Sequence, residues 1–160
     1  MASQQRLFLE DLAEGMRFAA GPVPIEAEEI KGFAARYDPQ PFHLDEAAAR
    51  GSLFGGLAAS GWHTAALTMR LLTEALPFAQ GVIGTGGEIN WPRPTRPGDR
   101  LRVECEVLAV QPSRSRPADG WVSLRTTTLN QADEAVQVLT ARLLVPRRPA
   151  AAGSGQGPGA

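Results

Sequence analysis

The apolar positions of this chain follow two periods, a helical one in the first half and a strand-like one in the second. Ile30, Phe33, Ala34 and Tyr37 recur at i, i+3, i+4 and i+7, with Glu28, Glu29, Lys31 and Arg36 on the other faces, which predicts an amphipathic helix. Pro39 disfavours helical geometry at the residue before it, so that helix is expected to stop near Asp38. The next segment, Asp38-Pro39-Gln40-Pro41-Phe42-His43, is read as a loop stiffened by two prolines, and Asp45 as the cap of a short helix through Ala47, Ala48 and Ala49. A longer helix is predicted from Ser60 to Leu76, closed by Pro77. Its apolar residues, among them Trp62, Ala65, Leu67, Met69, Leu71, Leu72 and Ala75, cover most of the circumference, so enclosure on most sides is expected.

After Gly81 the period shortens to two. Leu101, Val103, Cys105 and Val107 alternate with Arg102, Glu104 and Glu106, the signature of a strand with one buried face. The stretches Trp121 to Leu129 and Ala135 to Val145 read as two further strands joined by a hairpin turn at Asn130-Gln131-Ala132-Asp133, and Val82 to Trp91 as another strand interrupted by glycines. Helices early and antiparallel strands late predict an α+β fold in which a curved sheet surrounds one enclosed helix.

Length and composition narrow the function. The 160 residues suit one domain, expected over 1–148, with a disordered Pro/Ala/Gly tail over 149–160. With 16 basic against 17 acidic residues, the net charge of −1 gives no electrostatic reason for a nucleic acid or anionic membrane partner. The start of the chain lacks the apolar run of a secretory signal, and no stretch approaches a membrane span. One cysteine, Cys105, excludes an internal disulfide framework, so a reducing, cytoplasmic setting is expected. Cys105 lies in the apolar phase of its strand and reads as a small core residue.

The chemistry concentrates at Asp38 and His43. A carboxylate and an imidazole within reach of one water can orient it, take its proton and return a proton to a substrate. The same pair also fits a turn cap plus a surface histidine. Ser60 reads as the cap of the long helix, whose first turn has free N–H groups and a positive dipole end. His63 fits a packing role as well as a catalytic one and is left out of the catalytic set. No spacing of Asp38, His43, Asp45 and His63 supplies ligands on one helical face, so no metal is expected. Arg93 and Arg96 suit phosphates or plain loop solvation, Pro97-Gly98 reads as a type II turn, and Gly84, Gly86 and Gly87 lack the strand–turn–helix setting of a dinucleotide fingerprint.

The blocks Tyr37-Asp38-Pro39-Gln40-Pro41-Phe42-His43-Leu44-Asp45 and Phe54-Gly55-Gly56-Leu57-Ala58-Ala59-Ser60-Gly61-Trp62-His63 resemble the hydratase motif of the MaoC-like dehydratases, relatives of the (R)-specific enoyl-CoA hydratases. The later Trp91-Pro92-Arg93-Pro94-Thr95-Arg96-Pro97-Gly98-Asp99 resembles that family's turn between two strands. The resemblance implies a hot-dog fold, usually paired into a homodimer or higher homo-oligomer. It further implies hydration of a trans-2-enoyl thioester, or the reverse dehydration of a 3-hydroxyacyl thioester, carried on coenzyme A or acyl-carrier protein. Coenzyme A then enters as part of the substrate and no separate cofactor is implied. Asp38 and His43 would activate the water, and the Gly61 N–H would meet the thioester oxygen as it gains enolate charge. Ser60, Trp62, Phe42 and Phe54 are the expected substrate-binding residues. Two departures stand out: Ser60 occupies a position where hydratases often have His, and Thr64, Thr68 and Met69 lie where some carry Ser or Asn. A hot-dog thioesterase is the nearest rival, although the long helix offers only Glu74 as a carboxylate; a non-catalytic acyl-binding subunit is the other.

Overall fold

The computed structural model describes residues 5–151. A 3-10 turn at Leu9–Asp11 leads into β1 (Arg17–Pro24), followed by α1 (Ala27–Tyr37), α2 (Pro41–Leu44), α3 (Glu46–Arg50) and α4 (Gly61–Ala75). Four strands complete the chain: β2 (Ile83–Asn90), β3 (Arg100–Pro112), β4 (Asp119–Leu129) and β5 (Ala135–Pro146). With β1 they form one five-stranded antiparallel sheet in the order β1-β3-β4-β5-β2. This is the expected α+β, hot-dog arrangement of a long helix on an antiparallel sheet. Of the tail expected from 149, residues 152–160 lie outside the described residues.

The strand alternation places Val103, Cys105 and Val107 of β3 beside Val122 and Leu124 of β4 and Leu143 and Val145 of β5. Leu71, Leu72 and Ala75 of α4 pack onto that face, and Leu9, Leu12 and Phe78 close its end. Leu71 has no exposed surface, so truncation to Ala is expected to cost about 2–5 kcal/mol. A second core cluster, with Ile25, Ile30, Ala49, Leu57, Leu101 and Val136, fixes α1 and α3 against the rim of the sheet.

Three features differ from the pattern reading. β1 did not announce itself, because its register shifts between Ala20 and Val23, where Gly21-Pro22 interrupts the alternation. The proline loop contains a helix, α2, in which Pro41 occupies the first turn, where the missing N–H costs no hydrogen bond. The enclosure of α4 within this chain is one-sided: His63, Thr64, Thr68, Leu71 and Leu72 are buried, while Trp62 and Met69 face outward. No helix among the described residues is long and apolar enough to cross a membrane.

Candidate active site

Three short segments meet at the N-terminal end of α4. The first is the link from α1 to α2. Asp38 ends α1 by donating its backbone N–H to the Ala34 carbonyl at 2.9 Å, and the prolines on either side of Gln40 turn the chain so that His43 follows within one turn of α2. The second is the buried extended stretch Leu57-Ala58-Ala59-Ser60. It is tied on one side by Ala58 N–H to the Phe42 carbonyl (3.3 Å) and on the other by Ala59 N–H to the Thr95 carbonyl (2.9 Å). The third is the 91–99 loop between β2 and β3, where Pro97 and Gly98 form the expected turn, closed by Asp99 N–H to the Arg96 carbonyl at 3.1 Å. Gly98 has a φ of +85°, which a glycine adopts without penalty.

Asp38 and His43 come together. Oδ2 of Asp38 lies 3.4 Å from Nε2 of His43, with the histidine side chain 5% and the aspartate side chain 18% exposed. The other ring nitrogen, Nδ1, lies 2.6 Å from the carbonyl oxygen of Ala58. A carbonyl only accepts, so Nδ1 carries hydrogen, and in the neutral ring Nε2 keeps its lone pair on the side of Asp38. Burial works to raise the Asp38 carboxyl, but the nearby Ser60 hydroxyl, the Gln40 amide and, whenever its ring is protonated, the charge of His43 outweigh it, leaving the group below its ordinary range. The Gln40 amide donates to Oδ1 at 2.7 Å. The dyad thus holds an ionised carboxylate beside a basic nitrogen.

Ser60 has two tasks. Its Oγ accepts from the Trp62 N–H at 3.2 Å as the cap of α4, and its hydroxyl stands near enough to Asp38 to help hold that carboxyl ionised. Its carbonyl takes the N–H groups of His63 and Thr64. Among the described residues, that leaves the Gly61 amide as the first-turn donor without a partner, at the positive end of a helix of 15 residues. Gly61 is also a site of close approach: a Cβ there would come within 2.7 Å of the Trp91 indole.

His43, Gly61 and Phe54 line a common cavity of about 270 Å³, with Thr64, Trp91 and Thr95 among its other walls. Phe42 stands behind the dyad, its ring edge-on to His43 at 4.6 Å and packed on the second core cluster. Trp62 is 61% exposed and touches the site only through Trp91, ring to ring at 5.3 Å. The residues that sequence reasoning missed as walls are Ala59, Thr64, Trp91, Pro92, Pro94 and Thr95. The one available signal was hydroxyl side chains at buried phases of a helix and a loop.

The remaining candidates sort by their contacts. Arg96 is not free for phosphates: its guanidinium donates to the carbonyls of Phe54, Gly56 and Leu57. Arg93 lines the cavity and pairs with Glu134 at 3.1 Å, with both side chains about half exposed. His63 is buried with its ring stacked on Phe33 at 4.6 Å, and Nδ1 finds no partner. Burial alone pushes its imidazole below the usual range. Cys105 is buried in the core, where desolvation raises its thiol despite a hydrogen bond from Thr126. Glu74 is exposed on α4, paired with Arg70, and 13 residues beyond Gly61, about 20 Å along the axis.

The family model of the MaoC-like domain matches residues 11–129. This chain belongs to the MaoC-like family. The crystal structure of a MaoC-like dehydratase from Rhodospirillum rubrum is 62% identical with a TM-score of 0.88, covering 90% of this chain and 99% of that one. The unliganded R-hydratase PhaJ1 from Pseudomonas aeruginosa superposes with a TM-score of 0.74 at 28% identity, covering 96% and 97%. A 3-hydroxybutyryl-CoA dehydratase of Methylorubrum extorquens is 33% identical over 111 residues, 69% of each chain. This MaoC-like chain therefore shares its fold with hydratases and dehydratases.

Proposed function

We propose that this chain adds water to a trans-2-enoyl thioester and, in reverse, dehydrates the 3-hydroxyacyl thioester, with the acyl group carried on coenzyme A or acyl-carrier protein. The observation that carries this reading is the meeting of the His43 ring and an unpartnered helix-start amide at one cavity, with the Asp38 carboxylate 3.4 Å from Nε2 of that ring. The names borne by its relatives, an R-hydratase and a 3-hydroxybutyryl-CoA dehydratase, support the same direction.

In this mechanism a water donates one hydrogen to Nε2 of His43 and the other to Asp38, which aims its oxygen at the β-carbon. As the C–O bond forms, that proton passes to Nε2, and the π electrons of the double bond move onto the thioester oxygen. The Gly61 N–H and the helix dipole stabilise the developing enolate, while Asp38 stabilises the imidazolium. The imidazolium then returns its proton to the α-carbon and the carbonyl reforms. Net change is H and OH across the double bond, with both groups back in their starting forms. No metal or cofactor enters beyond the coenzyme A of the substrate.

We place this activity in a single domain over 1–148 of a cytoplasmic protein assembled as a homodimer or higher homo-oligomer. β2 is a sheet edge exposed along nearly its whole length, and a second sheet would cover it.

The deciding assay mixes the purified chain with trans-2-enoyl-CoAs and follows the conjugated chromophore together with free thiol. Chromophore loss without thiol is expected. Thiol release would replace the hydratase with a thioesterase, and no reaction across the panel would leave an acyl-binding subunit.

A further inference from the structure

We infer that Trp91, held in place by Gln137, is the wall that ends the acyl site and restricts it to short acyl groups of crotonyl size. The inference rests on the thioester reading above and names the substrate class within it. His43 and Gly61 fix where the β-carbon and the thioester oxygen lie, so the rest of the acyl group has to continue within the cavity they share with Trp91. There the indole packs directly on Gly61, where even one added Cβ would overlap the ring at 2.7 Å.

Trp91 is 40% exposed, but its indole is tied at its nitrogen. Its Nε1–H donates to Oε1 of Gln137 at 2.9 Å, and the ring of Trp62 braces it edge-on at 5.3 Å. Gln137 has no exposed surface, and displacing the indole would leave its amide oxygen buried without a donor.

The buried row to which the indole is tied through Gln137 is equally unsuited to an alkyl tail. Gln137 stands opposite Thr128 in the sheet register, and Thr128 is hydrogen-bonded to Thr68 of α4 at 2.6 Å. The Gln137 Nε2 is itself buried without a partner. A long acyl chain entering this row would bring methylenes to hydroxyls and an amide that methylenes cannot satisfy. Wall and background therefore select in the same direction.

Binding of butyryl-CoA and octanoyl-CoA, both saturated and unreactive, is measured by calorimetry on the wild-type chain, Trp91→Ala and Gln137→Met. Hydration of crotonyl-CoA and trans-2-octenoyl-CoA is followed in parallel. The wild-type chain is expected to prefer butyryl-CoA by about tenfold or more. Trp91→Ala is expected to bring the ratio near unity, and Gln137→Met, which keeps the volume but frees the indole, to move it the same way. Octanoyl-CoA binding as well as butyryl-CoA to the wild type, an unchanged ratio in Trp91→Ala, or no binding of either thioester overturns the inference. Should Trp91→Ala fail to fold, Gln137→Met decides alone, and an unchanged ratio there overturns it too. A preserved binding preference with no hydration of either enoyl-CoA leaves the wall standing and removes the hydratase reading.

Discussion

His43 Nδ1 lies 2.6 Å from the Ala58 carbonyl oxygen, and this contact decides which ring nitrogen is free to work. It sets the tautomer from a buried backbone atom, out of reach of substrate, and turns Nε2 toward Asp38. Nitrogen-15 NMR of the neutral ring is expected to show Nδ1 protonated and Nε2 bare. His43→Ala and Asp38→Asn are each expected to lower hydration about 10²–10⁴-fold with circular dichroism unchanged. Full activity in either variant would remove the assigned role.

Ser60 couples helix stability to the charge of Asp38. Ser60→Ala loses the cap on the Trp62 N–H, expected to cost about 1 kcal/mol at neutral pH, and the nearby hydroxyl that helps hold the Asp38 carboxyl down. The Asp38 carboxyl is held below its ordinary value of 3.8, so its contribution to stability is complete above that pH and disappears as pH falls through the lower folded value. Urea unfolding of wild type and variant is therefore expected to differ more at pH 7 than near pH 3. A difference that grows toward acid would contradict the influence of Ser60 on the Asp38 carboxyl.

How far the site could be read from the sequence depended on whether a residue's role was local. Asp38, His43 and Gly61 were singled out by the resemblance of their blocks to the MaoC-like motif, since the same pair also fits a turn cap and a surface histidine, whereas the Ser60 cap was legible because capping acts over a few residues. The α1, α3 and α4 boundaries and the Asn130–Asp133 turn were legible for the same reason, the turn being closed by Asn130 Oδ1 accepting from the N–H groups of Ala132 and Glu134. Trp91 and Gln137 are 46 residues apart and meet only through the β2–β5 pairing, which no local pattern states. Arg96 likewise reveals its three carbonyl partners only once the 54–57 segment is folded beside it.

His63 gives the fold an acid limb of its own. Burial lowers its imidazole from the ordinary 6.5, so the unfolded chain takes up a proton between 6.5 and the lower folded value while the folded chain does not. Stability is therefore lost as pH falls below 6.5. His63→Phe keeps a ring against Phe33 and removes the titration. Chemical unfolding from pH 7 to 5 is expected to show a shallower fall in the variant, by up to about 1.4 kcal/mol per pH unit. Parallel curves would show that the ring protonates as readily folded as unfolded.

Arg96 and Arg93 look alike in sequence but have different duties, and two substitutions separate them. Arg96 spends its guanidinium on the Phe54, Gly56 and Leu57 carbonyls, tying the loop before Ser60 to the loop before β3. A planar fork can reach several carbonyls at once and a lysine ammonium cannot, so Arg96→Lys is expected to recover less than half of the roughly 3 kcal/mol lost in Arg96→Met. Arg93 has only a half-exposed pair with Glu134, so Arg93→Ala is expected to stay within about 1 kcal/mol of wild type. Its half-exposed guanidinium is open instead to the phosphates of a coenzyme A thioester lying outside the cavity. Arg93→Ala is then expected to raise KM several-fold for crotonyl-CoA and to leave KM for the phosphate-free N-acetylcysteamine thioester unchanged. Equal effects on the two substrates would place the phosphates elsewhere.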